Sequence, residues 1–200
     1  MKNQMKCYAH SKENEPFEKW QALDDHLKSV AEQAQKYADK FKSADWAWNA
    51  GLLHDLGKAA DVFQAYLLRS NGLDDSDYDV SGYGRVNHSN AGAFFAIEIF
   101  GNVVGLTLAY LVAGHHAGLP DYYSTDTCRA AISFRLKEGK HNLDYIRTSA
   151  DELKKELRYV VKPPLFVKTD TFHFWVRMLF SCLVDRSEEH TSELQSLLII

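Results

Sequence analysis

From Trp20 to Phe41 the residues Leu23, Leu27, Val30, Ala31, Ala34, Tyr37, Ala38 and Phe41 recur three or four positions apart, with charged residues between them. That spacing predicts an amphipathic helix with one face on a core. Ser43 and Asp45 offer an N-cap region for a second helix, Ala44 to Leu56, which Gly57 would end and whose last turn would carry His54 and Asp55. A third helix is predicted from Ser89 through Ala91 to Phe100, yielding at Gly101-Asn102, and a fourth from Val103 to His116, closed by Gly118-Leu119-Pro120. Ala150 to Tyr159 reads as a charged helix, Pro163-Pro164 as a break, and Thr171 to Asp185 as an apolar last helix with Phe172, Trp175, Val176, Leu179, Phe180 and Leu183 inward. Ser70 to Val86, with Asn-Gly and few apolar positions, reads as a surface loop. The expected class is all-α.

Length and composition narrow this further. A chain of 200 residues with 46% hydrophobic residues can bury one sizeable core, and no repeat or linker suggests a second complete domain. Three scattered cysteines are too few for a disulfide framework or a cysteine-based zinc site, which favours a reducing, cytoplasmic setting. The N-terminus lacks an apolar signal segment, and the longest apolar run, near Leu106 to Ala113, is too short to span a bilayer, so no membrane role is expected. A net charge of −4 argues against a broad basic face that grips nucleic acid by counterion release. It leaves a phosphodiester substrate open, because bound divalent ions set the local charge of a site.

The C-terminal stretch Arg186 to Ser196 matches, over eleven residues, the in-frame translation of a common short-read sequencing adapter. The domain is therefore expected to span residues 1–185, with 186–200 a non-native tail and a downstream helicase lost at that point. An ordinary polar C-terminal helix is the alternative.

The chemistry concentrates in an ordered set: His26, the run Leu53-His54-Asp55-Leu56-Gly57-Lys58, Asn87-His88-Ser89, Gly114-His115-His116-Ala117-Gly118-Leu119-Pro120-Asp121, and Asp185. Each member has a plainer reading. His26 could be a boundary histidine, His88 the residue before a capping serine, and Lys58 a cation favoured by a helix end. Asp55 at a helix C-terminus opposes the macrodipole, two adjacent buried imidazoles need partners, and Asp185 on an apolar helix is costly to bury alone. Together they suggest a site for two metals, with Asp55 as candidate bridge because a carboxylate has two oxygens and an imidazole offers one nitrogen. Paired ions activate water and stabilise the leaving oxygen in phosphoester hydrolysis. Adjacent helical residues diverge by about 100°, so His54 and Asp55 can share a target only if the helix end distorts. Lys58 is the candidate phosphate contact, and Asp121 could order the histidine loop or bond an imidazole N–H. His10, His141 and His173 lack suitable neighbours and are assigned to surface or core. Asp74, Asp75, Asp77 and Asp79 fail the EF-hand pattern, because Arg85 falls where its bidentate glutamate belongs. Phosphate-binding loops, dinucleotide glycine fingerprints, serine elbows and H-E-x-x-H are missing from the sequence.

This array resembles the HD superfamily of metal-dependent phosphohydrolases. It is similar, more narrowly, to the CRISPR-associated HD nuclease, the N-terminal domain of the type I interference nuclease-helicase. The likeness rests on Tyr8-Ala9-His10-Ser11, His54-Asp55-Leu56-Gly57-Lys58, Arg85-Val86-Asn87-His88-Ser89 with Gly92-Ala93, the double-histidine loop through Asp121, and Leu179 to Asp185. It implies a helical fold around two metals, the first held by His26, His54, Asp55 and Asp185, the second by Asp55, His88, His115 and His116. It implies as well cleavage of single-stranded DNA supplied by a superfamily 2 helicase after a guide-RNA surveillance complex opens a duplex. The histidine-rich set favours Mn, Fe, Co or Ni over Mg. A nucleotide phosphohydrolase of the wider HD group and a non-catalytic helical interaction module are the alternatives.

Overall fold

The computed structural model describes residues 7–12, 15–73, 88–123 and 130–187, with the backbone alone described at 185–187. The expected loop at 70–86 with its aspartates, the Arg85-Val86-Asn87 segment and the tail beyond 187 fall largely or wholly outside the described residues. A short antiparallel ribbon, β1 (Tyr8–His10) with β2 (Gln21–Ala22), precedes seven described α-helices. These are α1 (Leu23–Ala38), α2 (Ala44–Leu53), α3 (Asp61–Ser70), α4 (Ser89–Gly114), α5 (Ile132–Tyr145), α6 (Arg147–Leu153) and α7 (Phe172–Ser187). The all-α expectation holds among the described residues.

The predicted stripe of α1 is the buried one: Leu23, Leu27, Val30, Ala31, Ala34 and Ala38 face the core, joined by His26. The helix starts later than the periodicity predicts, because Gln21 and Ala22 pair with β1 instead. Ser43 does occupy the N-cap position of α2, yet its side chain caps nothing. Its hydroxyl donates to the Phe41 carbonyl at 3.1 Å and accepts the Trp175 indole N–H at 2.8 Å, pinning α7 to the start of α2. Trp175 also sets its ring edge-on to Trp46, with centroids 4.8 Å apart.

The predicted third and fourth helices are the two halves of α4, which kinks where Gly101 adopts φ 74° and ψ −172°. A glycine takes that conformation without steric cost. At 26 residues α4 is long and apolar enough to cross a membrane, yet it packs against α2, α5 and α7 as the centre of the core. The charged helix expected over 150–159 lies instead at Arg147–Leu153, followed by a 3-10 turn over Lys154–Glu156. Buried Asn49 explains the early stop: its amide donates to the Arg158 carbonyl and its carbonyl accepts the Arg158 N–H, both at 2.9 Å, which an extended backbone satisfies. Helices α3 and α5 were not expected. Each buries too few apolar residues to show a stripe: Phe63 and Leu67 in α3, Ile132, Gly139 and Leu143 in α5.

Candidate metal centre

Two helix ends build the centre, and they use the same local device. His54 directly follows α2, and its Nδ1 lies 2.7 Å from the Gly51 carbonyl. His115 directly follows α4, and its Nδ1 lies 2.6 Å from the Val112 carbonyl. The last carbonyls of a helix have no intrahelical partner. Since a carbonyl can only accept, each ring carries its proton on Nδ1 and leaves a lone pair on Nε2. One hydrogen bond thus closes the helix and fixes the tautomer that a metal requires.

The distortion needed to bring His54 and Asp55 to one spot is present. Helix α2 stops at Leu53, Asp55 leaves the helical region at φ −118° and ψ 16°, and a 3-10 turn over Leu56–Ala59 follows. Close backbone approach then draws in His88. A Cβ on Gly92 would lie 2.0 Å from the Leu53 carbonyl, and one on Gly57 would lie 2.1 Å from the His88 carbonyl, to which Gly57 N–H donates at 3.1 Å. Only glycine lets α4 start against the end of α2.

The result is a single buried carboxylate with nitrogens on both sides. Oδ2 of Asp55 lies 3.1 Å from His26 Nε2, 3.3 Å from His54 Nε2 and 2.9 Å from Lys58 Nζ. Oδ1 lies 3.2 Å from both His88 Nε2 and His115 Nε2, and 4.0 Å from His116 Nε2. His26 and His54 bring their Nε2 atoms to 3.1 Å, and His88 and His116 bring theirs to 2.8 Å. Burial by itself raises the Asp55 carboxyl, but the positive charge around it, with the Lys58 ammonium 2.9 Å away, outweighs burial and holds it well below the usual carboxylate range. Asp55 is therefore ionised. Burial pushes the His115 imidazole down, and pushes His26 down to about 4 against the pull of Asp55, so both rings are neutral near pH 7.

These donors fit metal ions. His115 Nε2 and Asp55 Oδ1 are lone pairs facing each other with no proton to share, and both are buried without a hydrogen bond. His54 Nε2 faces Oδ2 in the same acceptor-to-acceptor manner. Such contacts repel unless a cation lies between them. Two donors held at right angles about 2.0–2.1 Å from one ion sit roughly 3 Å apart, which is the spacing seen here. Asp55, His88, His115 and His116 form one group able to hold an ion; His10, His26 and Asp55 form another.

Six of the seven expected ligands converge: His26, His54, Asp55, His88, His115 and His116. The backbone of the seventh, Asp185, lies on α7, and its side chain is outside the described residues. Lys58, the expected phosphate contact, is buried, donating to the Ala9 carbonyl at 3.2 Å and facing Asp55 and His10. Asp121 is exposed and engages through its backbone carbonyl, which accepts the Ile132 N–H at 2.9 Å. His141 and His173 lie on the surface of α5 and α7 as expected. His10 does not. Its Nε2 accepts from Lys58 at 3.4 Å and its ring centroid is 4.8 Å from that of His26. Spacing along the chain gave no sign of this beyond the likeness that includes Tyr8-Ala9-His10-Ser11, because β1 reaches the site through its pairing with β2 and the bonds of Tyr8 to Gln64 on α3.

A helical domain whose helix ends converge on a histidine-rimmed carboxylate belongs to the class of HD metal-binding proteins. The family model described as Cas3, HD domain matches residues 9–179, and the chain belongs to that family. The family's HD domain is a metal-dependent nuclease of CRISPR interference. No curated protein was found to match the chain.

Proposed function

We propose that this chain cleaves single-stranded DNA in type I CRISPR interference, with two divalent transition-metal ions held on either side of Asp55. The observation that carries the reading is the opposed lone pairs: each oxygen of one buried, ionised carboxylate faces an imidazole nitrogen whose proton is committed elsewhere. That arrangement supports one ion per oxygen, with His26, His54 and Asp185 serving the first and His88, His115 and His116 the second. Bound divalent ions supply activation of water and neutralisation of a phosphodiester's developing charge. The donor set favours Mn, Fe, Co or Ni over Mg.

The chain's own residues do the positioning. His54 and His115 hold their rings by the helix-end bonds, Asp55 fixes the spacing of the two halves, and half-exposed His116 marks where substrate enters. Lys58 adds a buried positive charge beside the bridging oxygen. For it to touch a phosphate, one of its three present partners must be exchanged for the substrate. A superfamily 2 helicase that feeds the strand and a guide-RNA surveillance complex that opens the duplex are the partners this reading names, in a cytoplasmic setting.

The test is metal content and cleavage measured on the same preparations. Loaded protein is expected to cut single-stranded DNA, and Asp55→Ala to lose both the bound metal and the cleavage. Unchanged metal content in Asp55→Ala would refute the site. Release of phosphate from nucleotides with single-stranded DNA left intact would replace the nuclease by a nucleotide phosphohydrolase.

A further inference from the structure

From Leu157 to Thr171 the chain is neither helix nor strand, yet it is held at both ends. At the first, the Arg158 backbone and the Asn49 amide exchange two hydrogen bonds, the Arg158 guanidinium meets Asp45 and the Trp48 ring, and the Glu156 carbonyl accepts the Trp48 indole N–H at 2.9 Å. At the second, the Val167 N–H donates to the Pro164 carbonyl and the Lys168 N–H to the Thr171 hydroxyl, both at 2.9 Å. Leu157, Val160 and Val167 pack against the core. The other large apolar side chains of this strap do not: Tyr159 is 87% exposed, Leu165 83%, Val161 60% and Phe166 49%. A fixed segment that turns such side chains to solvent marks a surface for a partner.

Charge decides which partner. Residues 154–168 carry five of the chain's 23 basic residues and one of its 27 acidic ones, a local reversal of the overall −4. Arg158 is committed to Asp45, and Glu156 to Lys28 at 3.0 Å. Lys154, Lys155, Lys162 and Lys168 are exposed and form no ion pair among the described residues; Glu152 and Asp170 flank the run. Lysines and exposed rings therefore alternate: Lys154 and Lys155, then Tyr159, Lys162, Phe166 and Lys168. Lys162 and Lys168 also line a groove of about 520 Å³ with Pro163, Pro164 and Phe172. The apolar side chains alone would suit a polypeptide, but the lysines set among them favour a polyanion with flat faces. In a single-stranded nucleic acid the phosphates take the cations and the unpaired bases stack on the rings.

We propose that the strap from Lys154 to Lys168 is a second contact for single-stranded DNA, an anchoring track apart from the metal centre. It takes its ligand from the reading of the substrate given above and adds where the strand is held. The strap lies against Asp45, Trp48 and Asn49 of α2, whereas His54 follows the far end of that ten-residue helix, about 15 Å long. Anchoring here keeps the rest of the strand at a high local concentration near the ions, and it needs no metal.

Binding is measured on the full-length chain in chelator, by fluorescence anisotropy of a labelled oligothymidylate of about twenty nucleotides, longer than the ~4–16 that one single-strand-binding fold covers. Lys162→Ala combined with Lys168→Ala should weaken binding and lower the slope of log affinity against log salt by about 1.4, the share of two phosphate contacts on a single strand. Tyr159→Ala should cost about tenfold through one lost stack, and Tyr159→Phe should keep the parent affinity. Tyr159→Ala should leave duplex binding as it was, because the bases of a duplex are stacked inside. Circular dichroism of each variant checks the fold. Parent affinity in the lysine variant or in Tyr159→Ala, or a loss in Tyr159→Phe equal to that in Tyr159→Ala, would overturn the proposal. Metal-loaded parent protein that binds the strand through the strap yet leaves it uncut would refute the nuclease reading and leave the anchor standing.

Discussion

At the scale of single residues, imidazole chemistry governs. His26 is held near 4, against an ordinary 6.5, chiefly because it is buried, and His115 is lowered for the same reason. A histidine whose folded value is depressed binds its proton more readily unfolded, so stability falls as pH drops below the unfolded value. Metal-free protein should therefore melt at progressively lower temperature between about pH 6.5 and pH 3, a window set by His26 and by His10 and His116, which burial pushes down to about 3. Asp55, whose folded value lies well below 3.8, stays ionised throughout most of that window and adds its own loss only in stronger acid. Melting followed by circular dichroism against pH checks this, and a melting temperature flat across the window would contradict it. The side chains that converge on Asp55 were legible in the sequence because they sit in an ordered set of histidines around one His-Asp pair, which singles that carboxylate out from the chain's 27 acidic residues. His10 was not, since its role depends on a strand three residues long that exists only by pairing.

Elements bring those residues together, and here backbone contact matters more than side-chain pattern. The Leu53 carbonyl sits where a Cβ of residue 92 would be. Gly92→Ala must push α4 away from α2, a form of overpacking that costs about 1–3 kcal/mol. Because the shift also moves His88 and His115, the variant is expected to lose Mn²⁺ affinity together with stability, seen as a lower denaturation midpoint and a weaker calorimetric titration. Loss of stability with full metal affinity would show that α4 can slide without disturbing its ligands. Trp175, nearly inaccessible against Trp46 and bonded to Ser43, fixes the opposite end. Trp175→Ala is expected to cost about 3–5 kcal/mol by cavity formation, read from chemical denaturation, while leaving Mn²⁺ binding in place if the variant stays folded. Periodicity revealed α1, the core halves of α4 and α7 because each buries a continuous stripe. It missed α3 and α5, whose contact with the core is made by two or three residues, and it placed the charged helix too late because a buried asparagine on a different helix decides where the chain becomes extended.

For the molecule as a whole, the metal centre and the core share one boundary. His26 lies on α1, His54 and His115 directly follow α2 and α4, and these three helices supply much of the largest apolar cluster. An ion that binds only the folded arrangement stabilises it by mass action, about 2.7 kcal/mol when its free concentration is a hundred times its dissociation constant. Mn²⁺ is thus expected to raise the melting temperature by several degrees, and chelator to reverse the rise; a melting curve indifferent to both would mean that ions bind at some site outside the folded core. The ribbon formed by β1 gives this coupling an unusual reach. Ala9 and His10 lie near the start of the described chain, and they hold the lysine that faces Asp55. Trimming the first ten residues would cut that tether, along with the bonds of Tyr8 to Gln64 on α3 and of Cys7 to Leu23 at the start of α1, and preparations that differ only in where the polypeptide starts would differ in how much metal they carry.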